Sequence, residues 1–362
     1  MRRIAAACGA IVALVAVGCT PGSHRSAPAR AHGSPSPSGP AAVRLPPIEL
    51  RAYLSERPGR WEAVTTIPFG TDAASLAFEE GRESPTVEPS SFAIARDGTI
   101  WILDAGNARV AHYSRAGRFL GAIVGLSLHA RDVAFVGDAM CLIDREQGFL
   151  AAVTPTGALT RAAFAEGDHV IHLLQLVPDG PRLTAHVDAE PYGSIVGVGT
   201  ERFGLLETSG AGRVELLPGL PVGDGRWIRI TDQGLEDPHE LDLEYVSASS
   251  AQVQPYVVHL LTGGAPGGRR VPSVSGPVEF ASAGAEAYLT IAVAPDRPRD
   301  ARLEGGRWLL RVGSDASAML WERLPQAGID DSEQFRRLAV GPDGHLYLMV
   351  LTSSGTEILQ RG

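Results

Sequence analysis

Between Pro89 and Gly121 the chain reads PSSFAIARDGTIWILDAGNARVAHYSRAGRFLG, four short apolar runs separated by turn residues. Phe92 and Ile94 alternate up to Asp97-Gly98, a two-residue hairpin signal, and Ile100 and Ile102 alternate beyond it to Asp104. Ala105-Gly106-Asn107 turns the chain into Val110 to Tyr113, and Gly117 turns it again into Arg118 to Ile123. The spacing predicts four antiparallel strands in chain order. A sheet of this kind has two apolar faces and cannot bury both by itself, so it requires similar sheets stacked on either side.

Those neighbours are visible. Forty positions on come Val133 to Phe135, a Gly137-Asp138 turn, Met140 to Ile143, Asp144, Leu150 to Val153 and Gly157, so that Asp104 maps onto Asp144 and Gly117 onto Gly157. Leu176 to Asp188 repeats strand, Asp179-Gly180 turn, strand and terminal Asp, and Gly204 to Leu217 adds an outer pair. Trp227 to Ile230, Leu241 to Ser247 and Pro255 to Thr262 make a fourth set; Val278 to Val293 with Trp308 to Leu324 make a fifth. The sixth is Leu338 to Val340, the Gly341-Pro342-Asp343-Gly344 turn, Leu346 to Leu351 and Glu357 to Leu359. The predicted fold is an all-β, six-bladed β-propeller, since about 300 residues at roughly 40 to 50 per blade give six or seven. Seven blades is the alternative, because Glu190 to Phe203 could hide another strand pair. Trp61 to Ile67 (WEAVTTI) is a strand with no blade of its own, and the last set lacks its outermost strand. Pairing the two closes the ring and leaves no loose edge between first and last blade.

The Pro89 to Gly121 stretch resembles an NHL repeat, whose order of Asp-Gly, apolar strand, Asp, Gly-Asn, Arg-Val and a later Gly is filled by Asp97-Gly98, Asp104, Gly106-Asn107, Arg109-Val110 and Gly117. That resemblance implies that Asp104 and Arg109 are partners within the blade, although Phe149 stands at the Arg109 position of the second copy. Asp104, Asp144 and Asp188 recur at strand ends, where carboxylates accept hydrogen bonds from the amides of the following turn. Asn107 is the chain's one asparagine and falls where a left-handed turn favours that residue.

The amino terminus reads as an export signal. Met1-Arg2-Arg3 is basic, Ile4 to Val17 is apolar, and Ala16-Val17-Gly18-Cys19 resembles a bacterial lipobox with Ala16 in place of the usual Leu. The resemblance implies cleavage after residue 18 and diacylation of Cys19. Residues 19–46 are Pro, Ser, Gly, Ala and Arg with few apolar side chains, a disordered tether reaching on the order of 30 Å. Residues 47–362 form the propeller. With Cys8 in the signal and Cys19 lipidated, Cys141 in a predicted buried strand has no partner for a disulfide.

All basic residues are Arg, and the formal net charge is −9, becoming about −11 once Arg2 and Arg3 leave. An acidic surface repels nucleic acid and anionic headgroups, so membrane contact is expected through lipid alone, on the extracytoplasmic side, with the protein a monomer. Catalytic signatures such as G-x-S-x-G, H-E-x-x-H, C-x-x-C and a P-loop are absent from the sequence. Gly263 to Arg270 (GGAPGGRR) could cradle a phosphate but reads better as a hairpin tip. His169, beside Asp168, and His172 sit three apart and would face opposite sides of one strand. The acidic clusters Glu236 to Glu244 and Asp330 to Glu333 lack the alternating spacing of a calcium loop.

Propellers present ligands at one mouth of the central channel, which makes the residues just before innermost strands the candidates: Ser90, Ser91, His129, Arg131, Asp132, Phe335 and Arg336. Two readings follow. The first is a lipid-tethered binding or scaffold module for a protein or glycan, with no cofactor. The second is a hydrolase or lyase resembling six-bladed lactonases, with a divalent cation such as calcium in the channel. That resemblance implies Glu, Asp and Asn ligands, and the one Asn here lies in a turn.

Overall fold

The computed structural model describes residues 43–44, 48–49, 61–81, 86–124, 130–144, 149–153, 159–163, 165–166, 169–170, 172–179, 182–188, 202–206, 214–217, 219–222, 226–232, 240–247, 253–262, 269–270, 273–283, 286–294, 306–313, 318–325 and 336–362. Met1 to Gly18, Cys19, His129 and Phe335 lie outside them, with the Asp330 to Glu333 cluster and positions 190–201 of the long insertion. So do positions 236–239 of the other acidic cluster and 263–268 of the glycine-rich segment.

Among the described residues the protein is all-β, its one helical element a 3-10 turn at Ala105–Asn107. The first sheet runs Pro89–Ile94, Ile100–Asp104, Arg109–Tyr113 and Phe119–Val124, each strand pairing antiparallel with the next. The second (Ala130–Val136, Ala139–Asp144, Phe149–Val153, Leu159–Ala163) and third (His172–Asp179, Arg182–Asp188, Arg202–Leu206, Val214–Leu217) repeat that order. So do the fourth (Leu220–Pro221, Arg226–Asp232, Glu240–Ser247, Val253–Thr262) and fifth (Ser273–Ala283, Glu286–Ala294, Gly306–Gly313, Ala318–Arg323). In the sixth, Leu338–Val340, Leu346–Thr352 and Gly355–Arg361 are followed by Trp61–Ile67 as the fourth strand, with Arg361 opposite Trp61 and Thr356 opposite Ile67.

The first strands of five of these sheets, all but the fourth, touch in a circuit. Pro89–Ile94 meets Ala130–Val136, which meets His172–Asp179, which meets Ser273–Ala283, which meets Leu338–Val340, which returns to Pro89–Ile94. Sheets radiating from such a circuit make a β-propeller.

Alternation explains the core. Ile100 and Ile102 point to one side of the first sheet and join Ile67, Leu76, Phe92, Tyr113, Tyr347, Met349 and Ile358 between the sixth and first sheets. Leu103, from the opposite side, joins Ala93, Val110, Val133, Met140 and Leu142 between first and second. A third slab, with Ala281, Tyr288, Leu309, Leu338, Leu348 and Leu359, fills the space between fifth and sixth. The first and sixth sheets are therefore apolar on both faces, as a two-sided stack requires.

Three local expectations are corrected. The first hairpin is a three-residue loop, Arg96 to Gly98: Ala95 and Thr99 still pair, and Gly98 takes φ +79°, the left-handed residue that closes such a loop. The left-handed position after Ala105–Asn107 belongs to Ala108, at φ +50°, and not to Asn107. His169 and His172 lie on different strands, His169–Val170 and His172–Asp179, so the same-strand geometry expected for them does not arise. Val43–Arg44 and Ile48–Glu49 lie parallel to Val253–Thr262. Arg269–Arg270 pairs antiparallel with the end of the same ten-residue strand, so its outer side is covered by three short segments, since unpaired edge amides and carbonyls accept extended chain.

Candidate functional site

One register detail recurs along the inner strands. A bulge interrupts pairing at Ser90 in the first sheet, Arg131 in the second, Leu174 in the third and Val278 in the fifth. The next residue is polar in each case: Ser91, Asp132, Gln175 and Glu279. An innermost strand has no neighbour on its axial side, so alternate N–H groups there need another acceptor. The polar residue of the preceding sheet supplies it. Val133 N donates to Ser91 Oγ at 3.2 Å, Leu176 N to Asp132 Oδ2 at 2.7 Å, and Leu338 N to Glu279 Oε2 at 2.8 Å.

Asp132 does more than clip one neighbour. Its Oδ1 accepts from Ser91 Oγ (2.7 Å), Val133 N (2.9 Å) and Arg336 Nε (2.7 Å), and Oδ2 accepts from Arg336 Nη2 (2.5 Å) as well as Leu176 N. Arg336 Nη2 also donates to the Leu176 carbonyl, and its own amide donates to Ser90 O at 3.0 Å. Both side chains are buried, at 3% and 0% exposure. Elements of the first, second, third and sixth sheets are thus tied at the axis by one bidentate ion pair, the geometry in which a buried pair recovers its desolvation cost. Glu279, buried in the fifth sheet, accepts from Arg337 N (2.7 Å) and Arg307 Nη1 (3.0 Å) in addition to Leu338 N.

Above the Arg336 plug, at the hairpin end of the inner strands, lies a cavity of about 620 Å³. Its walls carry Ala93, Ala134, Ala281 and Ala339, each three residues past its sheet's bulge position or, for the sixth, past Arg336. Small residues at one repeated position leave the space open. Polar groups on the lining are Arg96, Ser282, Glu286, Tyr288 and Arg336. Glu286 accepts from Tyr288 Oη at 2.6 Å and from Arg311 Nη1 at 3.1 Å, leaving each carboxylate oxygen a further lone pair. Burial first, and the bond to Glu286 second, push the Tyr288 phenol upward, so it stays a donor. Arg96, largely exposed at the rim, faces Asp138 at 3.3 Å.

The residues expected at the ligand face fall into several places. Among the described ones, Arg336 alone lines the cavity. Ser91 and Asp132 are consumed in the clips, Ser90 is buried at the bulge, and Arg131 is exposed. The cavity opens at the opposite ends of the inner strands, so Ala93, Ala134, Ala281, Ala339, Glu286 and Tyr288 were missed; the repeated apolar-Ala-apolar triplets FAI, VAF and LAV carry the signal.

Asp104 is fully buried and accepts from Arg109 Nε (2.8 Å), Asn107 Nδ2 (2.8 Å) and Ala77 N (3.1 Å). The amides of the turn that follows are not its partners, because Arg109, opposite it on the next strand, fills one oxygen. Arg109 Nη1 and Nη2 donate to the carbonyls of Ala73 (2.8 Å) and Ser75 (2.5 Å), and Tyr113 Oη to that of Ala74 (3.0 Å). The trio clasps the strap at 73–77. Asp144 and Asp188 take the matching register, opposite Ala130 and His172 as Asp104 is opposite Pro89. Cys141 is buried and free, and burial raises its thiol to about 12. Among the described residues no group of three or more His, Cys, Asp or Glu could hold a metal ion.

A sequence profile for a domain of unknown function (DUF7485) matches residues 59–130, from the strand that completes the sixth sheet to the start of the second. No curated protein matches the chain. Among solved structures, a gluconolactonase from Xanthomonas campestris is similar at 10% identity over 83% of this chain and 99% of its own, TM-score 0.45. A regucalcin, a calcium-binding protein from Agrobacterium tumefaciens, is similar at 12% over 83% and 97%, TM-score 0.41. A virginiamycin B lyase from Staphylococcus aureus follows at 10% over 76% and 95%, TM-score 0.40. At these identities and TM-scores the likenesses assign no activity to this chain.

Proposed function

We propose that the chain is a six-bladed propeller, closed by Trp61–Ile67, that serves as a binding module for a protein segment or glycan entering the cavity above Arg336. It is a monomer held by a lipid on Cys19 at the extracytoplasmic face of the cell membrane, behind a tether, with no nucleic-acid partner and no cofactor. The observation that carries the binding reading is the state of Asp132. Both oxygens are engaged by a guanidinium, a hydroxyl and two amides, so the axial carboxylate is taken up in holding the sheets together and not offered to a cation.

The cavity supports the same reading. Its charged groups are each paired, Arg96 with Asp138, Glu286 with Arg311 and Arg336 with Asp132, so it presents small apolar walls and a few fixed donors and acceptors. Such a lining suits a neutral, hydrogen-bonding ligand. The test is capture of surface glycans and proteins by the immobilised domain, with Ala283→Trp at the rim of the cavity as the variant and Glu62→Gln, on the Trp61–Ile67 strand and outside the cavity lining, as control. Binding is expected to be lost in the first and kept in the second; capture indifferent to A283W overturns the assignment. A stoichiometric divalent metal in the purified protein, lost when Asp132 is replaced, favours the lactonase-type hydrolase or lyase with calcium in the channel.

A further inference from the structure

The clip that joins successive inner strands fails at one junction. By register the residue equivalent to Ser91, Asp132 and Glu279 in the sixth sheet is Arg337, since Met349 N bonds its carbonyl and Leu338 pairs next in line. The sheet that follows is the first, whose axial amide equivalent to those of Val133, Leu176 and Leu338 is that of Phe92. Every other described clip sets an acceptor against that amide. Arginine has no acceptor to set against it.

An unpaired donor lies beside it. Ser90 is 7% exposed and its Oγ has no hydrogen-bond partner, while its carbonyl is held by the amide of Arg336, which places it next to Arg337. Arg337 Nε is likewise buried and without a partner. Burial, then the nearby Arg307, holds this guanidinium below its usual pKa, with Glu279 and Glu88 opposing. Glu279 is already engaged by Arg307 and two amides, and Glu88, buried nearby, has an interaction of its own. Buried donors without acceptors cost more than almost any other polar arrangement, and Arg337 Nε and Ser90 Oγ are both of that kind at this seam.

We propose that the seam between the sixth and first sheets, at the end of the inner strands opposite the cavity, binds a carboxylate, with Arg337 Nε, Ser90 Oγ and the Phe92 amide as donors. The site is independent of the cavity ligand. Glu88 is the competing carboxylate, so its neutralisation tightens the site.

Arginine side-chain NMR of the ¹⁵N-labelled lipid-free protein tests this with sodium acetate as probe and sodium chloride at equal ionic strength as control. The Arg337 Nε–Hε resonance, assigned by its loss in Arg337→Gln, is expected to shift saturably with acetate and not with chloride. Ser90→Ala should weaken acetate binding by about tenfold, the worth of one hydrogen bond to a charged group, and Glu88→Gln should strengthen it. An equal response to chloride, no saturable shift, or an S90A protein that binds acetate as the parent does each overturns the assignment. Because Arg337→Gln could fail to fold, Arg337→Lys gives a second reading: the charge stays, the Nε donor goes, and acetate affinity must fall.

Discussion

Asp132 and Arg336 are 204 positions apart in the chain and meet through two hydrogen bonds at the axis. With both side chains almost wholly buried, removing one charge strands the other. Arg336→Met is expected to lower the unfolding free energy by about 3 to 5 kcal/mol, and Asp132→Leu/Arg336→Met to recover much of that loss, as judged by urea denaturation. His112 makes a different case. It stacks on Trp101 with ring centroids 3.8 Å apart, its Nε2 is buried without a partner, and burial lowers its pKa from 6.5, with Asp97 partly opposing. The folded state thus binds that proton less readily than the unfolded chain. Its contribution to stability is present above about 6.5 and is lost as the pH falls through the depressed value. His112→Phe keeps the stack, and its urea midpoint is expected to drop less between pH 7 and pH 5 than that of the parent.

Strands and hairpins followed the amino-acid pattern closely, because period-2 alternation and turn residues act over a few positions. Where the reading missed, a longer-range contact intervened. Asn107 was assigned to a left-handed turn on local preference, yet its amide is drawn to Asp104, and Ala108 takes the φ +50° conformation instead. The Thr352–Gly355 hairpin shows the same influence between elements. Gly355 sits at φ +148°, and a Cβ there would run into the Ile67 carbonyl of the strand that completes the sixth sheet. Gly355→Ala is expected to cost about 1 to 3 kcal/mol in chemical denaturation. The loss should be smaller, though not absent, in a protein already lacking Trp61–Ile67, because the clash with the Ile67 carbonyl goes while the φ of +148° stays unfavourable for an L residue.

For the whole molecule, the sixth sheet joins residues from both ends of the folded region, and the apolar slab behind it mixes Ile67 and Leu76 with Tyr347, Met349 and Ile358. Removing residues up to Ile67 is expected to cause a large drop in melting temperature and to blur the cooperativity of unfolding; an unchanged transition would refute the proposed closure. The all-β character, most of the strands with the turns between them and the spare strand at Trp61 were legible in the amino-acid order, since each depends on neighbours in the chain. So were the polar residues at the head of the first two inner strands, Ser91 and Asp132, but not their task, while Gln175 and Glu279 went unnoticed. Ser91 and Asp132 look like ligand contacts when only their position is known. Stacking sheets side by side brings each against an unpaired axial amide of the next sheet, some 42 to 44 residues away. The cavity has the same origin: an Ala in one strand is unremarkable, and only the ring of sheets sets four of them around a shared space. Local preference therefore determined what each segment became, whereas three-dimensional packing decided which polar groups remained free to meet a ligand, because that depends on which backbone donors the neighbouring sheet leaves unsatisfied.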